Sequence, residues 1–118
     1  MAITDDDEKA VVEALSRDLK AWRLDRYLHL ITAEASNARD LVEDRQDFIE
    51  KVVEDVQQDL MDQFIDTTWP RCPRHFRHPL WYHDGAWFCD QDNAVIAKLG
   101  ELPSPPPGES PWRLVPAS

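Results

Sequence analysis

Between Pro70 and Asp92 the chain reads PRCPRHFRHPLWYHDGAWFCDQD, and no other stretch restricts the fold as much. Asp84-Gly85 is a strong two-residue hairpin signal, because the tightest hairpin turns need positive φ where Asp, Asn and Gly tolerate it. Pairing outward from it sets His83 opposite Ala86, Tyr82 opposite Trp87, Trp81 opposite Phe88 and Leu80 opposite Cys89. Aromatic cross-strand pairs of this kind stabilise a short hairpin. Cys72-x-x-His75 precedes the hairpin, and Cys89-x-x-Asp92 closes it.

A ligand-bearing turn, a hairpin and a second ligand-bearing turn make the layout of a zinc ribbon. Zinc takes four tetrahedral ligands, and one C-x-x-C or C-x-x-H turn supplies two of them. Cys72, His75 and Cys89 are the first three candidates. Asp92 is placed to be the fourth, since it mirrors His75 in the second turn. His78 competes with it, because nitrogen suits zinc better than carboxylate does. His83 alternates to the face opposite Cys89 and is set aside. The bland reading is a pair of ordinary buried thiols beside surface histidines. A chain of 118 residues gains directly from a metal staple, since its core is modest.

The N-terminal half is helical in pattern. Thr4 and Asp7 form a capping-box signature, and Asp5 to Glu8 suit the positive end of a helix dipole. Leu15, Leu19 and Trp22 continue from Val11 or Val12 at helical spacing, placing a helix at about residues 5–22. A second helix starts at a cap on Asp44 and carries Phe48, Val52, Val56, Leu60 and Phe64 on one face, flanked by Ile49, Val53 and Met61. That stripe fits a core against the first helix, or a surface pairing two copies of the chain. Between the helices, Arg26–Ala35 alternates Tyr27, His29, Ile31 and Ala33 with Leu28, Leu30 and Thr32, which reads as a strand buried on both faces. A continued helix on Leu24, Leu28, Ile31 and Ala35 is the other reading. The expected fold class is α+β: an acidic helical region over 1–68, a zinc-ribbon-like module over 69–102 and a proline-rich tail over 103–118.

Charge divides the chain at the same boundary. Residues 1–68 hold 18 acids and 8 bases, whereas residues 69–118 hold 5 of each. An acidic half repels a phosphate backbone, so nucleic acid is a poor partner and a basic protein surface a better one. Arg71, Arg74 and Arg77 lie close to Trp69, Trp81 and Trp87, a combination that can bind single strands. Three arginines in an acidic chain pair more readily with its own helices. No run nears the roughly 18 apolar residues of a membrane span. The acidic start is unlike a secretory signal, so a cytoplasmic setting with reduced cysteines is expected.

Six of the nine prolines fall within 103–116, and Pro105-Pro106-Pro107 favours an extended polyproline helix. Trp112 is the aromatic anchor of this tail, for a partner or for the body of its own chain. Ser16, Ser36, Ser104, Ser110 and Ser118 have no base beside them in sequence, and glycine occurs only at 85, 100 and 108, which excludes a glycine-rich phosphate loop. These features predict no enzyme. They predict a zinc-binding interaction or assembly protein that uses its acidic helices and the Trp112 tail. A nucleic-acid-associated regulator is the alternative.

The string Trp69-Pro70-Arg71-Cys72-Pro73-Arg74-His75, followed by His78-Pro79-Leu80 and Gly85-x-Trp87-x-Cys89, resembles short uncharacterised proteins of actinobacteria and actinobacteriophages. The resemblance covers about residues 48–102. It implies a helical region joined to a W-P-x-C-P-x-H, H-P-L, W-x-C module, and a phage origin would imply a particle or assembly component.

Overall fold

The computed structural model describes residues 3–63, 69–72 and 78–104. Phe64, Arg74, His75, Arg77 and the tail from Pro105, with Trp112, lie outside the described residues. Three helices and a three-stranded antiparallel sheet make an α+β fold: α1 (Asp5–Ala21), α2 (Leu28–Leu41), α3 (Arg45–Gln63), β1 (Trp81–His83), β2 (Ala86–Cys89) and β3 (Ala94–Lys98), with strand order β1-β2-β3.

Local rules account for the first helix. The Thr4 hydroxyl accepts from the Asp7 N–H at 3.0 Å, and the Asp7 carboxylate accepts from the Thr4 N–H at 3.0 Å, a complete capping box. That backbone hydrogen bond from Thr4 holds the Asp7 carboxyl below its ordinary value. The helix stops at Arg23 (φ 61°), where Leu24 N–H reaches back to Leu19 O and Arg23 N–H to Lys20 O. This is a Schellman stop built on a residue other than glycine. Arg39, from the last turn of α2, donates to Asp5, Glu8 and the Ile3 carbonyl at 2.6, 2.8 and 2.9 Å, tying the end of α2 to the start of α1. Asp44 caps α3 by accepting from Asp47 N–H at 3.0 Å.

Arg26–Ala35 is not a strand. A short 3₁₀ turn at Asp25–Tyr27 leads into α2, whose buried residues are Leu30, Ile31, Ala35 and Ala38. Ile31, Ala35 and Ala38 recur at helical spacing, and the two alanines let the neighbouring helices approach closely. The β-formers of the run are overruled by the helix-favouring Ala33 to Arg39 that follows it and by packing on α1 and α3. His29 is exposed.

β1 and β2 pair as Trp81↔Phe88, Tyr82↔Trp87 and His83↔Ala86, the register that the Asp84-Gly85 turn predicts. β3 is an element absent from the sequence expectation. It pairs with β2 through Cys89↔Ala94 to Ala86↔Lys98, after a turn that ends with Asn93 at φ 54°. One apolar cluster runs through helices and sheet, joining Leu15, Leu19, Ile31, Phe48 and Val56 to Leu80, Trp87 and Cys89. Among the described residues no helix is long and apolar enough to cross a membrane.

Two buried polar side chains stitch the sheet to the helices. Asp18 of α1 is wholly buried and accepts from Trp87 Nε1 (2.7 Å), Gly100 N–H (2.8 Å) and Leu102 N–H (3.0 Å). Burial pushes its carboxyl above the ordinary value, against the pull of those three donors. Gln57 of α3 donates to the carbonyls of Trp69 and Leu80 at 3.1 and 3.0 Å.

Gly100 is where the segment after β3 meets α1. Its φ is +90°, and a Cβ there would lie 2.8 Å from Arg17 Nη2 and 3.2 Å from Ala14 Cα. The helix backbone cannot yield as a side-chain tip can. Gly100→Ala should therefore cost about 2–4 kcal/mol, strain and overpacking together. Gly85→Ala is the control: φ is +84° but nothing lies within 4 Å of the new Cβ. Urea melts of both variants should show a clearly larger loss at 100.

Candidate metal centre

Cys72 and Cys89 come from separate segments and meet in the core. The first segment doubles back on itself through an Arg71↔Pro79 bridge, with Leu80 N–H on Pro70 O (2.7 Å) and Cys72 N–H on His78 O (3.0 Å). Cys72 and His78 therefore stand side by side at the base of a loop. Cys89 ends β2, and strand alternation turns it to the same buried side as Trp87. Both cysteines are fully buried, and their sulfurs lie 3.4 Å apart with no disulfide between them.

Two thiolates on one tetrahedral zinc, each at ~2.3 Å, sit ~3.8 Å apart. A separation of 3.4 Å is within a few tenths of an ångström of that edge. Soft sulfur donors suit zinc, as they also suit Cu(I) and iron–sulfur clusters. Leu80 and the Trp69–Trp87 edge-to-face pair, centroids 5.5 Å apart, belong to the same core cluster as the thiols.

The other sequence candidates are placed differently. His75 lies outside the described residues. Asp92 is exposed in the turn between β2 and β3, and His78 is exposed at the base of the loop. Among the described residues no group of three or more His, Cys, Asp or Glu side chains converges on one point. His83 is exposed and packs edge-on to Phe88, 6.2 Å between ring centres, on the face away from Cys89.

No protein-family model, curated protein or solved structure matches the chain.

The geometry also bears on the arginines. Arg71 is only 2% exposed, so its guanidinium is not offered to a polyanion at the surface. Sequence reasoning missed Asp18 and Gln57, the polar groups that orient the sheet carrying the thiols. Each did leave a signal. Asp18 interrupts the apolar stripe between Leu15 and Trp22, and Gln57 interrupts it between Val53 and Leu60. A polar residue on a core-facing stripe must find partners when buried.

Proposed function

We propose that this chain is a non-catalytic zinc-binding protein that works by holding other protein chains, as an adaptor or assembly component. The observation that carries the metal is the buried pair of thiols from two separate segments, their sulfurs at 3.4 Å. Cys72, His75 and Cys89 supply three ligands, and Asp92 takes the fourth place in competition with His78. The site is closed and structural, with the metal fastening the Cys72 loop to the sheet. Reduced thiols suit a cytoplasmic setting or a particle assembled there. The resemblance to phage and actinobacterial proteins supports an assembly role by analogy alone.

Substitution resolves the fourth ligand. Asp92→Ala should weaken zinc affinity by about 10-fold or more while His78→Ala leaves it unchanged, by analogy with the loss seen when a metal site's supporting groups are removed. The reverse order would assign the position to His78. His83→Ala should leave the metal untouched. Competition with a chromophoric chelator reads all three.

The acidic face formed by α2 and α3 is the surface for a basic partner. Glu34 is pushed up to about 7 by its hydrogen bond with Asp59, then by burial and by the charges of Asp59 and Asp55. Such crowding is relieved when a cationic segment docks. It also gives a pH signature. The folded value lies above the ordinary 4.5, so the stability linked to this group is complete below pH 4.5 and is lost as pH rises through about 7. Wild-type protein with zinc saturating should melt lower at pH 8 than at pH 5.5. Glu34→Gln should flatten that difference, because glutamine keeps a donor for Asp59 and does not titrate. An unchanged pH slope would remove Glu34 as its source.

Heparin chromatography tests the nucleic-acid alternative. Flow-through at low salt supports the protein-partner reading, and strong salt-sensitive retention supports the regulator. Native mass spectrometry of the protein purified with its partners tests the adaptor reading itself.

A further inference from the structure

A cleft of about 250 Å³ opens between the C-terminal half of α3 and β1, lined by Glu54, Gln57, Gln58, Met61, Trp81 and Tyr82. Trp81 is 44% exposed and Met61 38%, so two large apolar side chains stand at its wall in water. The polar groups of the lining are rich in acceptors. Gln57 spends both amide N–H groups on the carbonyls of Trp69 and Leu80, at 3.1 and 3.0 Å, which leaves its Oε1 as an acceptor. Gln58 donates to Asp62 at 2.9 Å and keeps its own Oε1. Glu54 adds a carboxylate. The volume is below the ~300–1,000 Å³ of sites that enclose a drug-sized molecule, so it suits a single side chain.

The charge around the cleft has one sign. Burial raises the Glu54 carboxyl, and the charges of Glu50 and Asp55 add to it. Lys51 acts in the opposite sense, but Asp55 holds its ammonium at 3.0 Å. Burial also pushes the Tyr82 phenol up, with the charges of Glu50 and Asp84 adding to the effect. An aromatic wall, several acceptors and a negative field are complementary to a flat cation that carries many donors.

We propose that this cleft binds one arginine side chain of a basic partner protein, its guanidinium stacked on Trp81, paired with Glu54 and donating to the two glutamine oxygens. A guanidinium has five N–H donors, no acceptor and a flat face that stacks on an indole, whereas a lysine ammonium is a compact point charge without such a face. The aliphatic stem of the arginine lies along Met61, as long charged side chains lie along apolar surface. The proposal rests on the reading of a basic protein partner and gives that partner its anchor. It needs no metal.

The test uses the full chain, labelled with nitrogen-15, and the probe peptide acetyl-Gly-Leu-Arg-Leu-Gly-amide. Titration should move the Trp81 indole resonance (assigned with Trp81→Phe) and the side-chain amides of Gln57 and Gln58 to saturation. The same peptide with citrulline, which keeps the flat shape and loses the charge, should bind about tenfold more weakly, and the lysine peptide about threefold. Glu54→Gln should weaken the arginine peptide about fivefold, and Trp81→Ala should abolish binding, both read at the glutamine amides. Both residues are exposed, so the variants should keep the fold. The absence of a saturable shift, equal binding of the three peptides, or full-strength binding to Glu54→Gln overturns the proposal. The adaptor reading fails separately. A partner that stays on Trp81→Ala at full yield removes this anchor and leaves the adaptor, whereas peptide binding by a chain that co-purifies with nothing keeps the cleft and removes the adaptor.

Discussion

Asp18→Ala should cost at least about 3 kcal/mol, because three buried donors lose their acceptor together and each such loss costs about 1–3 kcal/mol. The donors are the Trp87 indole N–H and the backbone N–H groups of Gly100 and Leu102. Small domains hold only about 5–15 kcal/mol in all, so the variant should be marginal at room temperature. Asp18→Asn should be milder. Asparagine keeps one oxygen for the Trp87 and Gly100 donors, which share Oδ2, and sets an NH₂ against the Leu102 N–H. Urea denaturation with tryptophan fluorescence and far-ultraviolet circular dichroism ranks the three proteins. A loss below about 1 kcal/mol for Asp18→Ala would show that water replaces the carboxylate at no cost.

Purified protein should carry about one zinc per chain, and Cys72→Ser or Cys89→Ser should abolish it. Apparent binding energies of structural zinc run to about 10–16 kcal/mol in small peptides that fold only with metal. This chain shares its core between sheet and helices, so metal loss should release the Cys72 loop and lower the melting temperature rather than unfold every helix. Native mass spectrometry before and after chelation measures stoichiometry, and calorimetry measures the shift. Equal stability with and without metal, or a disulfide joining the two cysteines in purified protein, would sink the proposal.

The elements legible in the sequence are those governed by neighbours along the chain. The Thr4–Asp7 box, the Asp44 cap and the Asp84-Gly85 hairpin each rest on contacts within a few residues, and each pairs as expected. The long α3 stripe also holds, burying Phe48, Val52, Val53 and Val56. The residues of α2 were harder to read, because an unbroken apolar run fits a two-sided strand as well as a helix start. Only packing of Ile31, Ala35 and Ala38 on the flanking helices decides it. β3 was missed because Ala94–Lys98 turns no strongly apolar face inward; Val95 is 64% exposed. The pairing of Cys72 with Cys89 was read from the two ligand-spaced turns that flank the hairpin, whereas the partners of Asp18 lie 69 to 84 residues away and are not named by any local pattern.

Asp18 also bears on how the chain is made. It emerges from the ribosome in the middle of the first helix, well before its last two donors, which belong to Gly100 and Leu102. Until those residues leave the ribosome, a carboxylate on the core face of α1 has no backbone donors, and packing that face would bury it uncompensated. Closure of the core must therefore wait for nearly the whole described chain, although three helices of local pattern precede it. Long-range closure of this kind slows folding and makes it cooperative. A product that stops before Gly100 should remain open to proteolysis rather than persist as a stable helical fragment.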